Sequence, residues 1–175
     1  MTTAERIKAT IRDVENFPKQ GITFKDITPI LKDYDLCDTI IYELWDKLRY
    51  KGIDAIAGIE SRGFLFGLPL AIKLGVPFIP IRKAGKLPFH TVQKKYDLEY
   101  GSAIIEIHKD AFELGAHIHI HDDLLATGGT SVAAGELIEE MDGIVAGYSF
   151  IVSIPLNGRE VISKITDDVI VLSEY

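Results

Sequence analysis

From residue 54 onward, short runs rich in isoleucine and valine alternate with longer stretches in which apolar residues recur at helical spacing. Such runs are typical of strands that are buried on both faces, as in parallel sheets. The pattern predicts strands over 54–59, 76–81, 102–107, 118–121, 144–152 and 169–172, and helices over 36–48, 64–74 and 130–141. This alternation predicts an α/β fold, a mainly parallel twisted sheet flanked by helices on both faces. Ligands of such sheets bind outside the carboxyl ends of the strands.

Length, composition and charge narrow the class of protein. A chain of 175 residues, 47% apolar and 26% charged, is predicted to form one domain, 1–175, with its own core. The net charge of −7 argues against a nucleic-acid partner, which needs a basic face. No stretch approaches ~20 consecutive apolar residues, so no membrane span is expected. The one cysteine, Cys37, leaves no internal disulfide and suits a reducing compartment, which predicts a cytoplasmic location.

Two carboxylates and a glycine turn join the strand over 118–121 to the helix over 130–141. Asp122 and Asp123 follow the strand directly. The turn that opens the helix consists of Ala126, Thr127, Gly128, Gly129 and Thr130. Its N–H groups, its hydroxyls and the positive end of the helix suit a phosphate, and the carboxylates suit ribose hydroxyls or Mg²⁺ held through water. No Gly-Lys-Ser/Thr follows, which excludes a Walker-type ATPase site.

The segment 118–130, which consists of an apolar strand, two acids and a Thr-Gly-Gly-Thr turn, resembles the motif that binds 5-phosphoribosyl-1-pyrophosphate (PRPP) in the type I phosphoribosyltransferase family. Its wording is most similar to that of the family members that use adenine. Similar segments of that family match 17–29, 61–67, 82–88 and 98–101, so the resemblance spans nearly the whole chain. It implies that N9 of adenine displaces pyrophosphate from the ribose anomeric carbon of PRPP, giving AMP in purine salvage. It also implies a homodimer and Mg²⁺ as cofactor. The ion would be carried mainly by PRPP and water, with Asp122 or Asp123 as candidate contacts.

The same resemblance implies a role for each matching segment. The pyrophosphate would be bound by Ser61, Arg62, Arg82, Lys83 and Lys86. The polar segment 82–101, here called the hood, would close over the site and exclude water. Glu99 would accept the N9 proton, beside Tyr100 in the hood, and Arg62 and Arg82 would share the catalytic work by neutralising the leaving group.

Adenine needs an apolar sandwich and polar groups that match its 6-amino edge. Phe24 is the predicted stacking face, with main-chain groups of Thr23 and Lys25 reading the base. The resemblance implies that the opposite face is formed by the segment 151–156, in particular by Ile154. Over 152–159 the chain departs from the family pattern, because the segment is one residue short and Ser153 stands near the place of an acid.

Three histidines alternate through the strand that leads to the acids: His117, His119 and His121. Alternate residues of a strand share a face, and the ~13 Å between the outer two excludes one metal ion bound by all three. We therefore predict packed histidines rather than a metal site. Two other functions stay open at this point: transfer to another nucleobase (hypoxanthine, guanine, xanthine or uracil), and a non-catalytic regulator that binds PRPP or a nucleotide on the same fold.

Overall fold

The computed structural model describes residues 1–97 and 101–175. Its strands are β1 (Arg12–Glu15), β2 (Thr23–Asp26), β3 (Ala55–Ile59), β4 (Phe78–Lys83), β5 (Thr91–Asp97), β6 (Ser102–His108), β7 (His117–Leu125), β8 (Ile144–Ser153) and β9 (Val169–Glu174). Its α-helices are α1 (Thr3–Thr10), α2 (Tyr34–Leu48), α3 (Gly63–Leu74), α4 (Gly129–Glu139) and α5 (Gly158–Ser163), with a 3-10 helix over Thr28–Lys32. No helix of these residues is long and apolar enough to cross a membrane.

Seven strands form one sheet in the order β5-β6-β4-β3-β7-β8-β9. The five neighbouring strands β4, β3, β7, β8 and β9 are parallel to one another. Strand β6 pairs antiparallel with both β4 and β5. A separate antiparallel pair, β1 and β2, carries the segment around Phe24. The prediction of a mainly parallel sheet is confirmed.

Each face of the sheet has its own apolar core. On one face, α1, α2 and α3 bury residues such as Leu44 and Phe66 against the sheet. On the other, α4 packs residues such as Leu137 against alanines and isoleucines of β3 and β7. The prediction of helices on both faces is therefore also confirmed, and the connections at the carboxyl ends of β3 and β7 lie between the two helical layers.

Two sequence-based predictions need correction here. The strand before the acids does not end at residue 121, because β7 pairs with β8 as far as Leu125 and includes both carboxylates. The predicted strands also omitted one that lies within the hood. Its residues Thr91–Asp97 form β5, which pairs along the length of β6, and the alternating exposure of β5 shows a strand period that its many charges had hidden.

The histidines of β7 are packed, as predicted, at two of three positions. His119 and His121 are fully buried, and His117 at the start of the strand is exposed. Nδ1 of His121 lies 2.9 Å from the hydroxyl of Ser149 on β8. Burial lowers the pKa of His119 to about 3 and that of His121 to about 4, so both rings are neutral at physiological pH.

Candidate active site

The acid pair lies at the carboxyl end of β7. Asp123 is only 2% exposed, and its main-chain N–H donates to Oδ1 of Asp122 at 2.8 Å. Burial raises the pKa of Asp122 well above its usual value, and the neighbouring Asp123 carboxylate raises it further. Burial also raises the pKa of Asp123, although Arg62 opposes that rise. Two close, desolvated carboxylates resist full ionisation, and hydroxyl donors or a cation would stabilise their charged form.

The glycine turn follows β7 and leads into α4. Gly128 has φ +81° and is the N-cap of α4, so its left-handed backbone favours glycine. A Cβ on Gly128 would lie 3.0 Å from the carbonyl oxygen of Gly158, where α5 begins, and this close approach also requires glycine. The turn surrounds a concavity of about 80 Å³ that is lined by Asp122 and by 124–131. Free N–H groups at a helix N-terminus make such a concavity suitable for a phosphate.

Arg62 joins the acid pair to the segment around Phe24. Its Nε lies 3.0 Å from Oδ2 of Asp123, and its guanidinium lies 4.9 Å from the centre of the Phe24 ring. The ion pair does not have hydrogen-bond geometry, so Oδ2 of Asp123 keeps acceptor capacity. The structure thus brings together three predicted site residues from three separate segments.

The loop that carries Arg62 packs tightly on β7 because Gly63 has no side chain. A Cβ at Gly63 would lie 2.8 Å from the carbonyl oxygen of His121 and 3.1 Å from Oδ1 of Asp122. Arg62 is the N-cap of α3, and Ser61 before it is exposed. Contact between these main chains sets the distance from Arg62 to the acids.

Three of the four residues predicted to bind adenine line one cavity of about 560 Å³: Thr23, Lys25 and Ile154. Tyr175 also lines it, with the Lys25 ammonium 4.0 Å from its ring centre. Nζ of Lys25 is further bound to Asp13 at 2.7 Å, so its side chain is already engaged within the chain. Phe24 does not line this cavity, because neighbouring residues of a strand point to opposite sides. It faces Arg62 and packs edge-on against Phe17.

At the base of the hood, Arg82 is bound within its own chain. Its guanidinium holds the Glu60 carboxylate through Nε at 3.2 Å and Nη2 at 3.1 Å, and Nη1 donates to the carbonyl oxygen of Lys86 at 3.1 Å. Glu60 also accepts the main-chain N–H of Lys83 at 2.8 Å. Burial alone would raise the pKa of Glu60, but these bonds lower it, which keeps the pair charged. The structure therefore places Arg82 against the loop of Arg62 rather than in open solvent.

Sequence reasoning missed Glu106, a buried carboxylate on β6. It accepts the main-chain N–H groups of Lys86 and Leu87, both at 2.8 Å, and the side-chain amide of Gln93 at 3.1 Å. Burial would raise the pKa of Glu106, but these donors lower it to about 2. A single acid within the apolar run Ala-Ile-Ile-Glu-Ile was the available signal, since a buried charge needs partners.

Two predicted residues cannot be placed, because Glu99 and Tyr100 lie outside the described residues. In the described ranges 1–97 and 101–175, no cluster of three or more His, Cys, Asp or Glu side chains could hold a metal ion. The acid pair, with an acceptor oxygen of Asp123 to spare, nevertheless fits a Mg²⁺ ion that arrives with a polyphosphate ligand.

Comparison with known proteins gives consistent results. Residues 23–166 match the family model described as phosphoribosyl transferase domain. An adenine phosphoribosyltransferase of Cytophaga hutchinsonii is 51% identical over 157 residues, which is 89% of this chain and 87% of that protein.

Solved structures agree over nearly the full length. The crystal structure of adenine phosphoribosyltransferase from Thermoanaerobacter pseudethanolicus has a TM-score of 0.92 at 48% identity and covers 98% of this chain and 99% of its own. The Saccharomyces cerevisiae enzyme of the same name, complexed with adenine and an imino-altritol bisphosphate, has a TM-score of 0.87 at 40% identity. That match covers 97% of this chain and 98% of the yeast chain.

Proposed function

The chain belongs to the phosphoribosyl transferase family, and on this premise we propose that it transfers the 5-phosphoribosyl group from PRPP to N9 of adenine. The products are AMP and pyrophosphate, and the reaction serves purine salvage. One observation supports the proposal independently of the likeness to other proteins: Arg62 lies between the acid pair, beside a turn of the size of a phosphate, and an aromatic ring of a separate segment.

We propose that the turn binds the 5′-phosphate of PRPP and that the acid pair binds its ribose. Main-chain N–H groups of 126–130 and the hydroxyls of Thr127 and Thr130 bind the 5′-phosphate at the N-terminus of α4. Asp122 and Asp123 accept hydrogen bonds from the ribose 2′- and 3′-hydroxyls. Desolvated carboxylates make strong, charge-assisted bonds of this kind, which orient the ribose ring.

The departing pyrophosphate accumulates negative charge while positive charge grows on the ribose. Arg62 is proposed to stabilise that charge, after its guanidinium exchanges Asp123 for the substrate. Arg82, Lys83 and Lys86 of the hood are proposed to contribute further cations. Mg²⁺ bound by the pyrophosphate would supply additional neutralisation. Glu99 is proposed to accept the N9 proton.

Adenine is proposed to stack on the ring of Phe24, on the side of β2 that faces Arg62 rather than in the cavity formed by Thr23, Lys25 and Ile154. Main-chain groups of β2 read the 6-amino edge, because the Lys25 ammonium is held by Asp13 and Tyr175. Selectivity then follows from main-chain donors and acceptors of fixed direction, since a 6-oxo base presents the opposite pattern.

The decisive experiment is a panel of bases with PRPP and Mg²⁺, in which pyrophosphate release is followed. Release with adenine and at most slow release with hypoxanthine, guanine, xanthine or uracil supports the proposal. Release with hypoxanthine but not adenine would assign another base. No release with any base, together with PRPP binding, would assign a non-catalytic regulator.

We also propose that the chain forms a homodimer through α3. This helix exposes an apolar stripe, Leu65, Leu68 and Ile72, and Ile72 is 71% exposed. Light scattering is expected to give twice the chain mass for the wild type and to shift toward the single chain for Ile72→Glu. A single-chain mass for the wild type would refute the dimer.

The cytoplasmic location that the single cysteine suggests remains a prediction.

A further inference from the structure

Strand β5 of the hood rests on α4, the helix that the phosphate turn opens. Nζ of Lys94 lies 3.0 Å from Oε2 of Glu136 and also pairs with Glu140, one turn farther along α4. Both hydrogen bonds raise the pKa of Lys94, so its ammonium stays charged. A Cβ on Gly129 would lie 3.7 Å from the carbonyl oxygen of Asp97, at the end of β5. Asp97, the last residue of β5, therefore lies beside the phosphate turn itself.

A side-chain hydrogen bond joins β5 to the start of α4, beside the phosphate turn. The Thr130 hydroxyl donates to the phenol oxygen of Tyr96 at 3.2 Å, and this bond is partly buried. The Tyr96 ring packs against the core on the α4 side of the sheet, so the phenol position is set by packing rather than by the bond. Tyr96 lies three residues before Glu99, the proposed proton acceptor.

A hydroxyl has one proton to donate and two lone pairs that accept. When a phosphate binds in the turn, the Thr130 hydroxyl donates its proton to an anionic phosphate oxygen. It then no longer donates to Tyr96. A tyrosine phenol can donate in turn, so the bond re-forms with Tyr96 as donor and Thr130 as acceptor. The resulting chain, from Tyr96 through Thr130 to phosphate, is stronger than two separate bonds because each donor polarises the next.

We propose that Tyr96 is a positioning residue that aims the Thr130 hydroxyl at the 5′-phosphate and couples the hood to an occupied phosphate turn. This inference rests on the proposed function, since it takes the turn to be the 5′-phosphate site. Tyr96 touches neither substrate in this account; it acts through Thr130.

The test is Tyr96→Phe, which keeps the packed ring and removes only the phenol oxygen. PRPP binding measured by calorimetry with Mg²⁺ is expected to weaken about 3- to 10-fold, the range of one net hydrogen bond. The KM for PRPP is expected to rise by the same factor, while the KM for adenine changes less than about 2-fold. Tyr34→Phe is the matched control, because Tyr34 is 84% exposed at the start of α2. It is expected to match the wild type.

A double-mutant cycle separates positioning from a merely structural role. In a Thr130→Val background, Tyr96→Phe is expected to change PRPP affinity less than about 1.5-fold, because the hydroxyl that it positions is gone. Wild-type PRPP affinity in Tyr96→Phe, or full additivity with Thr130→Val, would overturn the inference. Since PRPP binding is measured directly, these outcomes are read even if no base is transferred. Absence of base transfer by the wild type would instead refute the proposed function.

Discussion

Replacing Gly63 with alanine is expected to impair catalysis by moving the loop of Arg62 away from the acid pair. The added Cβ would lie 2.8 Å from the carbonyl oxygen of His121 and 3.1 Å from Oδ1 of Asp122. Favourable contacts of carbon begin near 3.5 Å, so the start of α3 must retreat by roughly 0.5–1 Å. The carbonyl of His121 belongs to a central strand and cannot yield, because β7 is paired with β3 and β8 on both sides.

Two magnitudes follow from that displacement. Overpacking of this kind costs about 1–3 kcal/mol of unfolding free energy. A shift of about 1 Å in a group that positions the substrate can cost about 10²-fold in rate, so kcat/KM for PRPP is expected to fall about 10- to 100-fold. Stability is measured by urea denaturation, and kcat/KM by pyrophosphate release at saturating adenine.

Gly67→Ala is the matched control on the same helix, one turn farther along. Its added Cβ would lie 2.9 Å from the ring of Phe78, a side chain rather than main chain, and 3.6 Å from the His121 ring. Alanine also gains up to about 1 kcal/mol of helix propensity within α3. Activity within about 3-fold of the wild type is therefore expected. Unchanged kcat/KM in Gly63→Ala, or equal losses in both variants, would refute the reasoning.

Further predictions concern the acids and the buried titratable groups. Asp123→Asn is expected to weaken PRPP binding at least about 10-fold with the fold retained, because the charge-assisted ribose bonds are lost; unchanged affinity in calorimetry would contradict the assignment. Glu106→Gln is expected to lower the unfolding free energy at pH 7 by about 1–3 kcal/mol. The pKa of Glu106 is about 2 in the folded protein, against an ordinary value of 4.5, so this stabilisation is present above pH 4.5 and is lost as the pH falls toward 2. Urea denaturation at pH 7 and pH 3.5 should show a smaller difference in unfolding free energy between wild type and variant at the lower pH. An equal difference at both pH values would contradict this account. His119→Leu is expected to flatten the acid side of the stability profile. The pKa of His119 is about 3 in the folded protein, against an ordinary value of 6.5, so only the unfolded chain binds this proton between pH 6.5 and pH 5. The unfolding free energy of the wild type is therefore expected to fall by about 2 kcal/mol over that interval. An equal loss in both proteins would exclude His119 as the cause.

The predicted elements were accurate where the signal is local. Ile/Val runs and helical stripes depend on spacing along a few turns, so the order of six strands and three helices could be read before any contact was known. The family resemblance is confirmed by the domain match over residues 23–166. Strand ends were less accurate. The two acids of β7 interrupt the apolar run without ending the strand, and the charges of β5 masked its period.

The sequence by itself determined that an acid pair and a glycine turn adjoin at the carboxyl end of a buried strand, because neighbours along the chain stay neighbours in the fold. Only the tertiary structure decided what surrounds them. Arg62 reaches Asp123 because Gly63 allows close packing of α3 on β7, and Tyr96 meets Thr130 because β5 pairs with β6 and lies on α4. Contacts of this kind join residues tens of positions apart through strand pairing and helix packing, and no periodicity of the chain encodes them.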